Sequence, residues 1–121
     1  MPRVIHFEIP VDNADRAKSF YEQTFGWQIQ KWGGPEDYWL IDSANGDEPG
    51  INGALTLRSS TEHTVNTISV PSCEEYLTRI EAAGGKAVTQ RMTVPGVGFM
   101  AYCIDTEGNV FGIMQMDESA A

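Results

Sequence analysis

Apolar residues fall at every second position near the start of the chain, and the same pattern returns in its second half. Residues 5–11 alternate apolar and polar side chains, and residues 64–70, with Val65, Ile68 and Val70, are predicted to form a second such strand. This period of two places alternate side chains on opposite faces of a β-sheet. An offset of 59 residues, which places Ile9 on Ile68 and Gly26 on Gly85, superposes one half of the chain on the other. The sequence therefore contains an internal repeat that opens each time with a strand.

A helix is predicted after each of these strands. In the first half, Asp12 is predicted to cap the helix, apolar residues at spacings of three and four form one stripe, and Gly26 ends it. In the second half, Ser72 and Glu75 have the spacing of a capping box, and Gly84-Gly85 can supply a left-handed C-terminal turn. The two predicted helices are alike in length and polarity.

Three further strands are predicted after each helix, separated by turn-forming residues. The strands span residues 27–32, 38–42 and 51–57 in the first half, and residues 87–89, 99–104 and 110–116 in the second. The turns are Gly33-Gly34-Pro35, Asn45-Gly46-Asp47, Pro95-Gly96 and Glu107-Gly108-Asn109. The prediction is one α+β domain over residues 1–121, built from two tandem βαβββ modules. Module one covers about 1–59 and module two about 60–117, with a frayed C-terminus at 118–121.

Composition narrows the class of protein. The chain has 121 residues, with 8 Lys and Arg against 17 Asp and Glu, for a net charge of −9. So acidic a surface repels a phosphate backbone, and we expect no nucleic-acid partner. No apolar stretch approaches the length of a signal or membrane segment, so we expect a soluble cytoplasmic protein with no membrane partner. Cys73 and Cys103 lack metal-site or redox spacing and are predicted to be buried thiols.

The chain resembles a known superfamily at several points. The first strand leads through Phe20-Tyr21 to Phe25-Gly26-Trp27, and Asp105-Thr106-Glu107-Gly108-Asn109 precedes the final strand. This arrangement is similar to that of the vicinal oxygen chelate superfamily, which includes glyoxalase I, extradiol dioxygenases and bleomycin-resistance proteins. Val94-Pro95-Gly96-Val97-Gly98 and Val110-Phe111-Gly112 resemble its small glyoxalase-like proteins. Thr106 departs from the proline usual in the family.

The resemblance implies two curved half-barrels that close around a cavity, a small-molecule ligand and a homodimer. In metal-dependent members, His, Gln or Glu side chains from the first and last strands of both modules bind a divalent cation. The corresponding positions here are His6, Val65, Gly53 (or its neighbour Ala54) and Gly112. Only His6 can bind a metal, whereas a catalytic cation generally needs about three protein ligands. We therefore expect no cofactor, with a divalent metal ion as the alternative.

A makeshift metal site of His6, Glu8 and His63 is disfavoured by spacing. Residues two apart on a strand lie about 7 Å from each other, at a rise of about 3.3 Å per residue, whereas metal ligands lie about 2 Å from the ion. His63 is interpreted as part of an exposed loop. His6 is either an acid–base or hydrogen-bonding group of the cavity or a structurally satisfied imidazole. The presence of Glu8 predicts that this end of the cavity is polar or open to solvent, and Arg91 is a candidate counter-charge for its carboxylate.

The aromatic residues of module one permit two interpretations. In one interpretation these residues pack in the core and at a dimer interface, and in the other they form a wall on which a flat ligand stacks. They are Trp27, Trp32, Tyr38 and Trp39. Gly96-Val97-Gly98 lacks the features of a phosphate loop and is interpreted as a hinged loop over the cavity.

Three hypotheses about function follow. The leading one is a metal-independent protein that binds a small oxygenated or aromatic molecule. The alternative is a glyoxalase-like lyase or isomerase that acts on a carbonyl substrate through a non-standard metal site or through His6 and Glu8 as catalytic acid and base. The third is a non-catalytic interaction subunit. The predicted cavity residues are His6, Glu8, Gly53, Thr67, Met100, Tyr102, Gly112 and Met114.

Overall fold

A computed structural model describes residues 1–34, 36–43, 47–58 and 62–121. The chain divides into two compact units, of which the first comprises His6–Thr64 and the second comprises Val65–Ala121 together with Met1–Ile5. The first unit has the βαβββ order that the repeat predicts, the second has the same order with one added strand, and the α+β fold class is confirmed. The turn positions Pro35 and Asn45-Gly46 lie outside the described residues, as does the predicted module boundary near residue 59.

The first unit is a four-stranded mixed sheet with one helix. Its elements are β1 (Arg3–Val11, of which this unit contains the part from His6 onward), α1 (Ala14–Phe25), β2 (Gln28–Lys31), β3 (Tyr38–Asp42) and β4 (Asn52–Leu57). The strand order is β2-β3-β4-β1, in which β4 runs parallel to β1 and the other neighbours are antiparallel. The parallel pairing brings the first and last strands of the unit side by side.

The second unit repeats this arrangement with one addition. Its elements are β5 (Val65–Ser69), α2 (Cys73–Ala82), β6 (Lys86–Ala87), β7 (Met92–Val94), β8 (Gly98–Ile104) and β9 (Val110–Met116). The order is β5-β9-β8-β6, and β7 also pairs with β8. The predicted strand at 87–89 is thus shorter than expected, because the Val88 and Thr89 amides both donate to the Tyr102 carbonyl. The short β7 was not predicted.

Each helix covers one face of its own sheet. In the first unit the buried cluster comprises Val11, Ala14, Ile29, Ile41 and Leu55. In the second it comprises Val70, Cys73, Ala101 and Ile113. Because side chains alternate along a strand, the residues between these core positions point to the face away from the helix. That second face carries His6 and Glu8 in the first unit and Thr67 in the second.

The helix ends follow the predicted chemistry with one correction. Asn13, not Asp12, caps α1, since Asn13 Oδ1 accepts a hydrogen bond from the Arg16 amide at 3.0 Å. Asp12 lies one residue too early and pairs instead with Arg58. Gly26 ends α1 at a φ of 74°, as predicted.

The cap of α2 and the state of the C-terminal residues were also predicted from the sequence. Ser72 Oγ accepts from the Glu75 amide at 3.2 Å, which confirms this half of the capping box, while the Glu75 carboxylate binds Arg79. At the C-terminus, where fraying is predicted, Ala120 is buried and its carbonyl accepts from the Gly96 amide. Ala120 therefore packs against the loop before β8, whereas Glu118, Ser119 and Ala121 are exposed.

Gly53 provides a test of the β1–β4 register. It lies opposite Phe7, and a Cβ added there would collide with the Phe7 carbonyl oxygen and lie 2.7 Å from its ring. A Cβ at Gly33 would meet nothing within 4 Å. We expect Gly53→Ala to lower the free energy of unfolding by about 1–3 kcal/mol and Gly33→Ala to change it by less than about 0.5 kcal/mol. Urea unfolding measures both, and equal stabilities would contradict the register.

Candidate functional site

A polar pocket of about 450 Å³ lies in the first unit. Its walls come from β1, the end of α1, and β2, β3 and β4. The lining residues are His6, Glu22, Gln28, Ile29, Gln30, Leu40, Ile41, Asp42, Asn52 and Gly53. Six of the ten carry polar or ionisable side chains, so the pocket is rich in hydrogen-bonding groups.

Strand register explains why these groups meet. His6 lies opposite Asn52 on the parallel β4, and Gln28 lies opposite Asp42 in the β2–β3 pair. All four share the sheet face that points away from α1, because Ile29 and Ile41, their neighbours in sequence, are core residues. The Gln28-Ile29-Gln30 sequence of β2 therefore places two amides on the pocket face and one apolar side chain in the core.

A hydrogen-bonded chain of three side chains lies on this face. His6 Nε2 and Tyr38 Oη are 2.6 Å apart, and the Tyr38 hydroxyl donates to Glu8 Oε2 at 3.0 Å. The His6 and Tyr38 rings lie nearly parallel, with an interplanar angle of 11°. Glu8 is only 8% exposed, so its carboxylate depends on such partners for stability. Tyr38 thus links the imidazole to the buried carboxylate.

Burial sets the charge state of the imidazole. It lowers the pKa of His6 from its ordinary 6.5, while the Glu8 charge acts in the opposite direction and raises it. Because burial is the larger effect, His6 is neutral at neutral pH. A neutral imidazole has one protonated nitrogen and one that accepts a hydrogen bond or a proton.

The remaining predicted cavity residues lie on the second unit, apart from Gly53. Thr67 and Tyr102 both pair with Gly112, and Met100 pairs with Met114. These five residues share the sheet face opposite α2, since Ile68, Ala101 and Ile113 pack into its core. Gly53 lies opposite Phe7 and borders the pocket through its backbone.

The family's metal-ligand positions do not fit a metal ion here. Glu8 lies opposite Ala54 in the first unit, as Thr67 lies opposite Gly112 in the second. The fourth-strand position of the first unit is therefore Ala54, and neither alanine nor glycine has a ligating side chain. In the described parts of the chain, no group of three or more His, Cys, Asp or Glu side chains could hold a metal. His63 is exposed, as predicted.

Tyr38 is the main site residue that sequence reasoning assigned differently. It was grouped with the tryptophans as packing or a stacking wall, but its hydroxyl is the centre of the hydrogen-bonded chain. Trp27 and Trp39 pack against the core cluster, and Trp32 contacts Tyr38 edge-on at 6.0 Å. Asn52, Gln28 and Gln30 were also missed, although the polar–apolar alternation of β2 was a usable signal.

Arg91 and the two cysteines lie outside this site. Arg91 pairs with Glu74 at 3.4 Å and stacks on Phe99, so it does not act as the predicted counter-charge of Glu8. Both cysteines are buried thiols, as predicted. Burial raises the pKa of Cys73 and raises that of Cys103 to about 11, which makes both poor nucleophiles.

Comparison with known proteins supports the superfamily. Residues 3–36 match the family described as bleomycin resistance protein-like N-terminal. None of the curated protein sequences compared with the chain matches it. Within the described residues, neither helix is long and apolar enough to span a membrane.

Solved structures match the fold over nearly the whole chain. A hypothetical protein from Bacillus halodurans C-125 superposes with a TM-score of 0.73 at 14% identity, covering 99% of this chain and 98% of that one. Methylmalonyl-CoA epimerase from Streptomyces coelicolor, a variant in complex with 2-nitronate-propionyl-CoA, gives 0.73 at 11% identity over 98% and 97%. The Mycobacterium tuberculosis epimerase gives 0.69 at 14% identity over 94% and 87%. The chain therefore shares the fold of these proteins, and the match at residues 3–36 agrees with the resemblance found in the sequence.

The lowered pKa of His6 predicts a pH effect on stability. Above pH 6.5, the ordinary pKa, the imidazole is neutral in the folded and the unfolded protein, so its burial costs no stability. As the pH falls from 6.5 through the lower pKa of the folded state, protonation favours the unfolded state and the free energy of unfolding decreases. We expect the urea midpoint of the wild type to fall on acidification from 6.5 more steeply than that of His6→Gln. His63→Gln, which removes the exposed histidine, should follow the wild type. Parallel curves for His6→Gln and wild type would contradict this environment for His6.

Proposed function

We propose that this member of the vicinal oxygen chelate superfamily binds a small, oxygen-bearing molecule without negative charge in the pocket of its first unit, and does so without a metal ion. The observation that carries the proposal is the His6–Tyr38–Glu8 chain on a face otherwise rich in amides. Such a face offers directed hydrogen bonds beside apolar surface, which suits hydroxyl and carbonyl groups on a short carbon skeleton.

The size and chemistry of the pocket support this ligand class. A volume of about 450 Å³ lies within the usual range of small-molecule sites, about 300–1,000 Å³. Gln28, Gln30 and Asn52 each carry an amide that can both donate and accept. Leu40 and Ile41 add a limited apolar surface for a short carbon skeleton.

Charge argues against an anionic ligand. Glu22 and Asp42 line the pocket, and no lysine or arginine is among the described residues that line it. The buried Glu8 lies behind His6, and the whole chain has a net charge of −9. An anion would lose hydration on entry and meet carboxylates of like sign. The epimerase from Streptomyces coelicolor was solved with a coenzyme A ester, a polyanion for which this pocket provides no countercharge.

Metal independence has a direct test. The described residues provide no cluster suited to a metal, and His6 Nε2 is engaged by Tyr38. We expect purified protein to contain far less than one equivalent of zinc, nickel, manganese or iron by plasma mass spectrometry. A stoichiometric metal that is absent from His6→Ala would overturn this part of the proposal.

The ligand class is tested with two probes of similar size, one neutral and one negatively charged. We expect dihydroxyacetone, which is neutral, to shift the amide NMR signals of His6 and Asn52, and glycerate to leave them unchanged. Gln30→Ala should weaken binding about 3- to 10-fold, because it removes one hydrogen bond worth about 0.5–1.5 kcal/mol.

The matched control is Gln23→Ala, an exposed residue of α1 that is not part of the pocket lining. It should leave the affinity unchanged. Tighter binding of glycerate than of dihydroxyacetone, or no shift with dihydroxyacetone, would contradict the proposal.

A further inference from the structure

We propose that a second pocket of the first unit binds a small molecule that carries a carboxylate group on a flat ring. This helix-side pocket has a volume of about 410 Å³ and is formed by the end of β1, the start of α1 and Arg58. Arg16 and Phe20 of α1 are among its lining residues. The proposal is independent of the function proposed for the polar pocket, because the two pockets share no lining residue.

The helix-side pocket lies on the opposite side of the sheet from His6. Val11 belongs to the core cluster that α1 covers, and Ile9 packs against that cluster. His6 is three positions before Ile9 on the same strand, so its side chain points to the other face. The sheet therefore separates the two pockets, and occupation of one does not require occupation of the other.

An aromatic wall stands beside an apolar floor in the helix-side pocket. Val11 is buried, and Ile9 and Ala17 are half-buried. Phe20 is 57% exposed, and its ring meets Tyr21 edge-on with an interplanar angle of 82°. Phe20 forms no other ring contact within the described residues, and an edge-to-face contact occupies at most one face of its ring. The other face is available to a flat partner.

Arg58 is held in place by three contacts of its guanidinium. Nε donates to Asp12 Oδ1 at 3.0 Å, and the two Nη atoms donate to the carbonyls of Pro10 and Glu62 at 3.4 Å. A guanidinium has five N–H groups, so one N–H on each Nη has no acceptor in the part of the chain that the structure describes. The side chain is 37% exposed. A guanidinium fixed in this way can bind a carboxylate without first losing its conformational freedom.

Charge favours an anion in the helix-side pocket. Its described lining carries Arg16, Arg58 and one carboxylate, that of Asp12. Two positive charges and one negative charge give a local balance of +1, in a chain whose net charge is −9. Asp12 is already paired with Arg58, whereas the Arg16 guanidinium has no partner among the described residues. This pocket therefore attracts anions that the rest of the acidic surface repels.

The spacing of charge and ring matches one small molecule. Arg16 and Phe20 are four residues apart on α1 and share one face of the helix. One helical turn is about 5.4 Å, a distance that a six-membered ring and its carboxylate span together with a hydrogen bond. A ring that lies on Phe20 can thus direct its carboxylate towards the arginines.

The dimensions of the pocket favour a small molecule over a protein partner. A volume of about 410 Å³ is within the usual range of small-molecule sites, about 300–1,000 Å³. Apart from Arg58, the described lining residues all lie between positions 9 and 21. A bound peptide takes its affinity from a longer row of contacts along a strand edge or groove. We therefore assign the site to an aryl carboxylate.

Binding is tested by NMR titration with benzoate and with benzyl alcohol, which has the same ring without the charge. We expect benzoate to shift the amide signals of Arg16 and Ala17 and to leave those of His6 and Asn52 unchanged. Benzyl alcohol should bind about 10-fold more weakly or worse, because it cannot form charge-assisted hydrogen bonds. Equal affinities for the two probes would overturn the proposal, as would benzoate shifts at His6 and Asn52 alone.

Two charge variants share one matched control. Arg16→Gln and Arg58→Gln should both weaken benzoate binding, the second by about 10-fold. Arg79→Gln removes the same charge from an exposed ion pair of α2 and should leave the affinity unchanged. Equal losses in all three would show a general charge effect and contradict the site. Should Arg58→Gln prove unfolded by its amide spectrum, Arg16→Gln decides the outcome.

The aromatic wall has a control on the same helix. Phe20→Leu should weaken benzoate binding about 3-fold, because ring stacking is lost. Phe25 is 60% exposed but is not part of the pocket lining, so Phe25→Leu should match the wild type. Equal affinities of Phe20→Leu and the wild type would overturn the ring as part of the ligand.

A peptide probe distinguishes a small molecule from the end of a protein chain. A short peptide that ends in phenylalanine carries the same ring and carboxylate, and we expect it to bind no more tightly than benzoate. Binding of this peptide about 10-fold more tightly, worth about 1.4 kcal/mol, would overturn the assignment to a small molecule. Failure of both probes to bind would overturn the site itself and leave the function of the polar pocket untouched.

Discussion

The buried carboxylate of Glu8 is the constraint on which the site depends. An 8% exposed carboxylate on a sheet face is tolerable only with hydrogen-bond donors directed at it. Tyr38 provides one of them, and in doing so it presents its hydroxyl oxygen to His6. The orientation of the imidazole is thus a consequence of satisfying Glu8. This requirement links β1 to β3, which are not neighbours in the sheet.

Sequence patterns predicted the parts of this arrangement that depend on local periodicity. Alternation along the first strand placed His6 and Glu8 on one face and Phe7 and Ile9 on the other, as the structure shows. Thr67 and Gly112, both predicted as cavity residues, lie opposite each other on β5 and β9. Local periodicity suffices here because a strand has only two faces.

Contacts that depend on the pairing of strands far apart in the sequence were harder to predict. Tyr38 is 30 residues from Glu8, and only the β3–β4–β1 register brings the two together. The fourth-strand position fell on Gly53 because the offset of 59 does not hold there. The structure places Ala54 opposite Glu8, and a shift of one residue exchanges the faces of a strand. Register depends on loops and core packing that a single sequence does not reveal.

The strand positions that would hold a metal in the superfamily carry other side chains in this chain. A metal ion would require the lone pair of an imidazole nitrogen, and Nε2 of His6 is already committed to Tyr38. Ala54 and Gly112 are small residues that leave space at these positions and have no side chain that could bind a metal. What remains on the first unit is a neutral imidazole backed by a carboxylate, surrounded by amides. The described lining of the pocket also carries Glu22 and Asp42, so its acidic character bears on the charge of any ligand.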